Sequence, residues 1–238
     1  MAAMRRNCGD RNGPYNRDVI FVRAVVSGMW FLASTDPAPW AEVELGKLKP
    51  LAEEALWLSI TVRDHRDSIY RTLMYISVAR HDNAGAAKWG NRWLAEIDAI
   101  KPSSEDERSA LDIARVENVQ IFGDPAHILP ALTESERAMP NNYIASLRLA
   151  QMEFAAKHYD ETIAACDRGL ARGPGAYGQA WLLQIKARAL RQKGQTDEAY
   201  RALQQAWQAA QAIPSKGTRD ATITRIHDAL KEAEKATK

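Results

Sequence analysis

Cys166, the acidic pairs Asp160-Glu161 and Asp197-Glu198, and the run Arg63-Asp-His-Arg-Asp67 carry the groups best placed for chemistry in this chain. A thiolate can attack an electrophile, paired carboxylates can divide acid and base roles, and a dense ionisable run can move protons. Each has a plainer reading that suits its surroundings better. Cys166 falls on the inner side of an amphipathic stretch, where a thiol behaves as a small hydrophobe. Both acidic pairs open helical stretches, where negative charge complements the helix dipole. The Arg63–Asp67 run reads as a solvated helix junction. Trp89 and Trp93 share a helix face and read as core anchors rather than a ligand platform. Glycine-rich phosphate loops, HExxH, CxxC and nucleophile motifs do not occur, and Cys8 and Cys166 are far apart. The expectation is a chain that is not an enzyme and has no catalytic residues, no metal site and no cofactor.

Composition allows a folded protein of 238 residues, with 46% hydrophobic and 26% charged residues and a formal net charge of +2. That charge supplies no general attraction to nucleic acid. Five arginines stand against two aspartates over residues 1–23, a weak nucleic-acid signal by itself. No apolar run reaches the roughly 20 residues a transmembrane helix needs. Arginines before Ala24–Ala33 give a loose outline of a secretory signal, against which Asp10, Asp18 and the long polar lead argue. Residues 1–39 are therefore expected to be a poorly ordered or signal-like segment. A cytoplasmic location is favoured, with an extracytoplasmic one if residues 1–34 act as a signal.

The elements that position these residues are helices throughout. Thr35–Pro39 reads as a linker or turn. Leu51, Ala55, Leu58 and Val62 stripe one helix, and Ile69, Leu73, Ile76 and Ala79 the next. Ala86, Trp89, Trp93, Ile97 and Ile100 mark a third, stopped at Pro102. Ser104 and Glu107 have capping-box spacing for a helix ending at Phe122-Gly123. Asp124-Pro125 signals another start, with Pro130 delaying or kinking it. Asn141 or Asn142 caps a helix to about Lys157. Tyr159–Arg172, Ala176–Lys193, Thr196–Ile213 and an amphipathic Thr218–Ala236 follow.

Pro140 and Pro174 lie 34 residues apart, each closing a helix–turn–helix segment, and Pro214 ends a third segment that is shifted by three residues and has its proline three residues late. Such a period marks stacked helical hairpins, none of which can bury its apolar face alone. In segment 143–176, Leu149 and Ala150 precede Tyr159-Asp-Glu161, Thr162, Cys166 and Pro174. Segment 180–213 has Ala187, Leu190, Gly194, Ala199 and Leu203; segment 109–142 has Val116, Val119, Gly123, Ile128, Leu132 and Pro140. On these slots the region resembles a tetratricopeptide repeat (TPR) array. It departs in having no Trp at the first large position and Glu153 where the pattern has Tyr.

The resemblance implies an all-α, right-handed superhelical solenoid of antiparallel helix pairs. Residues 40–102 would form degenerate hairpins, 103–214 TPR-like repeats and 215–238 a capping helix. In the family the first helices line a concave groove, which here would present Glu117, Gln120, Leu147, Gln151, Phe154, Gln184, Arg188 and Arg191. Phe154 would serve as an apolar anchor, and the arginines suit a mildly acidic peptide or partner protein. The Lys/Asn carboxylate clamp of some members is absent, its slots holding Leu147, Gln151, Trp181 and Ile185. The expected function is a protein–protein interaction scaffold. An alternative is the accessory helical region of a larger enzyme or multidomain protein whose catalytic domain lies elsewhere.

Overall fold

A computed structural model describes residues 28, 39–56 and 63–236. The expected tail or signal at the N-terminus, together with Leu58, Val62 and Cys8, lies outside the described residues. Among the described residues from 39 onward there are ten α-helices and one 3-10 turn, and no strand. They are α1 (Pro39–Leu56), α2 (Arg63–Ala79), α3 (Asn83–Asp98), α4 (Glu105–Ile121), α5 (Leu129–Ala138), α6 (Tyr143–Ala155), α7 (Tyr159–Ala171), α8 (Ala176–Gln192), α9 (Thr196–Gln211) and α10 (Lys216–Ala236). The 3-10 turn, Pro125–His127, precedes α5.

Two compact units divide the chain. The first runs to Lys101 and includes Glu117–Gly123; the second comprises Pro102–Val116 and everything from Asp124 onward.

In the first unit α1 packs on α2 and α2 on α3. The helix expected from Leu51 begins instead at Pro39 and continues through Pro50. Proline in the first turn loses nothing, because that N–H has no intrahelical partner, whereas Pro50 forgoes one backbone hydrogen bond. The core gathers Ile69, Tyr70, Leu73, Met74, Trp89, Trp93 and Ile97, all buried. Both tryptophans are thus core anchors, as their shared helix face predicts. Ala79, placed on the α2 stripe, is exposed, since the last helical turn already leads into the hairpin. The end of α4 docks through Asn118, whose Nδ2 donates to the Gly90 carbonyl at 2.9 Å.

In the second unit α5 packs on α6, α6 on α7, α7 on α8, α8 on α9 and α9 on α10, and α6 also touches α8. Local signals operate where expected. Ser104 Oγ accepts from Glu107 N at 3.1 Å, while the Glu107 carboxylate reaches back to Ser103 N at 2.6 Å. Asp124 accepts from Ala126 N at 2.9 Å, and the 3-10 turn defers α5 so that Pro130 falls in its first turn. Asn142, rather than Asn141, caps α6 by accepting from Ile144 N at 3.0 Å. One core joins Leu183, Ala187 and Leu190 of α8 to Ala199, Leu203 and Ala206 of α9 and Ile226 of α10.

Three helix-to-helix turns share one hydrogen-bond pattern. Asp82 N donates to Ser77 O at 2.8 Å, His158 N to Glu153 O at 2.9 Å and Gln195 N to Leu190 O at 3.0 Å. The preceding residue in each is left-handed: His81 at φ 56°, Lys157 at φ 65° and Gly194 at φ 76°. This is the Schellman closure, which satisfies end carbonyls and folds the chain back.

Candidate functional site

Of the charged run at the start of α2, the structure describes the side chains of Arg66 and Asp67, both half-buried and tied to α3. Arg66 donates to both Glu96 oxygens, Nε to Oε2 at 2.9 Å and Nη2 to Oε1 at 2.7 Å, and Tyr70 OH donates to the same carboxylate. Trp93 Nε1 donates to Asp67 Oδ1 at 2.7 Å. These bonds have a simple cause: α3 folds back on α2 and brings Glu96 and Trp93 opposite Arg66 and Asp67. Burial, reinforced by the Glu96 acceptor, pushes the Tyr70 phenol up to about 12. Burial opposes ionisation of Glu96, but the bonds from Arg66 and Tyr70 outweigh it and hold the carboxyl below its usual range.

Two carboxylates with no local motif are buried in the second unit. Asp112 Oδ1 accepts from Ser135 Oγ and Arg115 Nη1, both at 3.0 Å, while Oδ2 has no hydrogen-bond partner among the described residues. Burial pushes its pKa up despite these donors. Glu136 faces Arg168, which donates from Nε and Nη2 at 2.8–3.1 Å, and accepts from Ser146 Oγ at 2.7 Å. Burial raises the Glu136 pKa, but Arg168, Ser146 and the Arg172 charge prevail and depress it. Arg172 also donates to Ser146 Oγ at 2.7 Å and Asn142 O at 3.1 Å. These groups tie α4 to α5 and α5 to α6 and α7. Sequence reasoning missed them because their partners come from up to 36 residues away.

Cys166 is fully buried, and desolvation, helped by the Asp167 charge, pushes its thiol to about 12. A thiol this hard to ionise is a packing group. Asp160 pairs with Lys193, and Asp167 accepts from Lys186 at 2.5 Å, so α7 carboxylates bind α8 cations. A cleft of about 320 Å³ between α7, α8 and α9 is lined by Ile163, Leu190 and Ala202 together with Lys186 and Arg201. Both cations are engaged, Lys186 by Asp167 and Arg201 by Glu198 at 3.9 Å.

The predicted groove residues fall into both units. In the first, Glu117 is held by Arg71 Nη2 at 2.6 Å and Gln120 is exposed. In the second, Leu147 is only 6% exposed and belongs to the core rather than to a surface. Gln151 is half-buried, and Gln184 Nε2 donates to its own helix at Ala180 O, 3.1 Å away.

Phe154 and Arg188 meet. The guanidinium carbon of Arg188 stands 4.3 Å from the Phe154 ring centroid, and Tyr159 lies 5.8 Å from the same ring. Phe154 therefore supports a cation instead of offering an open apolar anchor. Arg188 is exposed, as is Arg191 one turn on. Unlike Lys186 of α8 and Lys193 just past its end, Arg188 has no carboxylate within ion-pair reach among the described residues.

Toward the start of α8, Tyr177 and Trp181 form an edge-on pair with centroids 5.5 Å apart, and Tyr177 is 39% exposed. Beside them Tyr143 of α6 crosses Gly178; a Cβ there would come within 2.5 Å of the ring. The α6–α8 face thus combines an aromatic end, two amides and a stacked arginine. Among the described residues no group of histidine, cysteine and carboxylate side chains is arranged to hold a metal ion, and no helix is long and apolar enough to cross a membrane. The chain matches no protein-family model, no curated protein and no solved structure.

Proposed function

We propose that this chain is a non-enzymatic interaction scaffold, a TPR-like solenoid whose α6–α8 face holds an extended segment of another protein. The observation that carries this reading is the serial packing of two similar hairpins, α6–α7 and α8–α9, whose first helices also touch. Both hairpins turn through the same Schellman closure, at Lys157 and at Gly194. Their small positions, Ala150 and Thr162 in one and Ala187 and Ala199 in the other, are buried. Small residues there let helices approach to about 8–10 Å. Repetition of that unit leaves successive first helices exposing a shared face, the arrangement repeat proteins use for binding. In this reading α10 is the terminal cap, with Ile226 buried against α9 and an outward side rich in charge.

The non-enzymatic part rests on where the perturbed groups lie. Asp112, Glu136, Glu96 and Cys166 are each absorbed in helix packing rather than gathered at an accessible cleft. A quantitative pull-down comparing the intact chain with a Gln151/Arg188/Arg191 triple alanine variant tests the proposal. The expected outcome is selective loss of proteins recovered by the wild type, with unchanged circular dichroism. Identical recovery by the folded variant would remove the α6–α8 face from the function.

A further inference from the structure

The α6–α8 face also carries information about the chemistry of what it holds. Arg188 is the exposed cation of α8 whose recorded contact is a ring and not a carboxylate. A guanidinium stacked on an aromatic face keeps its N–H edge outward and loses little freedom when that edge binds a carboxylate in two-point fashion. No Asp or Glu occupies positions 177, 181, 184, 188 or 191 of α8, or 144, 147, 151 or 154 of α6. The face is positive and lacks its own counterion at Arg188.

Seven positions before Arg188, Trp181 is half-buried and braced edge-on by Tyr177, giving a rigid aromatic surface. Seven helical residues rise about 10 Å. A polyproline-type segment rises about 3 Å per residue and repeats its face every third residue. Its residues i and i+3 thus match the distance from the aromatic pair to Arg188.

Resting on the scaffold reading above, we propose that the occupant is an acidic peptide segment in which an Asp or Glu side chain and an aromatic or large aliphatic residue stand three positions apart. The carboxylate forms a two-point hydrogen-bonded pair with the Arg188 guanidinium, and the apolar residue packs on Trp181 and Tyr177. Phe154 is a positioning residue: it holds Arg188 in place and does not itself grip the ligand.

A phage-displayed library of random dodecapeptides, panned against the intact chain, tests this directly. Enriched peptides should share an acidic residue three positions from an aromatic or aliphatic one, and bind more weakly as salt rises. In fluorescence anisotropy with one enriched peptide, Arg188→Gln should weaken binding about tenfold, as loss of a charge-assisted hydrogen bond does. Arg188→Lys should restore little of it, because an ammonium neither stacks nor forks. Phe154→Leu should give a smaller loss, and replacing the peptide's acid by its amide should abolish the difference between wild type and Arg188→Gln. Enriched peptides without acidic residues, or an acid preference that survives Arg188→Gln, would overturn this inference while leaving the scaffold intact. Failure of the wild type to enrich any peptide sensitive to α6–α8 substitutions would instead overturn the scaffold reading itself.

Discussion

At the scale of single residues, Asp112 and Glu136 are two buried carboxylates with opposite electrostatic outcomes. Glu136 has Arg168 and Ser146 as donors and the Arg172 charge nearby, so its folded pKa is depressed. Stability from such a group is complete above the ordinary carboxylate pKa and is lost as pH falls through the depressed folded value. Asp112 loses more to desolvation than Ser135 and Arg115 return, so its folded pKa is raised. Its contribution is complete below the ordinary carboxylate pKa and is lost as pH rises through the raised folded value. Urea unfolding from pH 3 to 8 should therefore separate the two. Glu136→Gln should flatten the acid limb of the stability profile, whereas Asp112→Asn should gain relative to wild type as pH rises toward neutrality. Parallel profiles for both variants would show that neither carboxyl is displaced as described. Nothing adjacent in sequence marks either residue, because Ser135, Arg168 and Ser146 reach them only through helix packing.

At the scale of elements, the turns show how far local signals extend. Gly194 advertises its left-handed conformation, but His81 and Lys157 adopt the same one with side chains that disfavour it. A non-glycine residue there carries strain of about 1–2 kcal/mol, partly offset by the entropy a glycine would lose. Lys157→Gly should accordingly stabilise the chain by roughly 0.5–1 kcal/mol. An unchanged urea midpoint would mean the α6–α7 turn is not under that strain. Ala187 is the counterpart inside a helix, 3% exposed between α8 and its neighbours. Ala187→Leu should overpack the interface and cost about 1–3 kcal/mol. Full retention of the melting temperature would place Ala187 on the wrong face. Helix starts were largely legible, as Asn142, Asp124 and Ser104 show, since a cap needs only atoms a few residues away. The start of α1 was not, because its prolines read as punctuation while the helix runs through Pro50.

At the scale of the whole molecule, each helix of the second unit from α5 onward packs on the next, and α10 packs on α9. Ile226 is fully buried in the core shared with α8 and α9, flanked by half-buried Ile223 and Leu230. Ile226→Ala should cost about 2–5 kcal/mol and lower the unfolding temperature of the chain. A loss confined to α10 itself, with the rest melting unchanged, would show that the helix is an appendage. The amino-acid sequence by itself determined that this protein is built from helices, because three- and four-residue apolar spacing, caps and breakers all act within a turn or two. It also identified Trp89, Trp93 and the small positions Ala150, Ala187 and Ala199 as interior. Only tertiary structure decided that Leu147 is core, that Arg66 and Asp67 bind α3, and that Phe154 supports Arg188. Those outcomes depend on which side chains from distant helices come to lie opposite one another, and helical periodicity within a single segment carries no record of that.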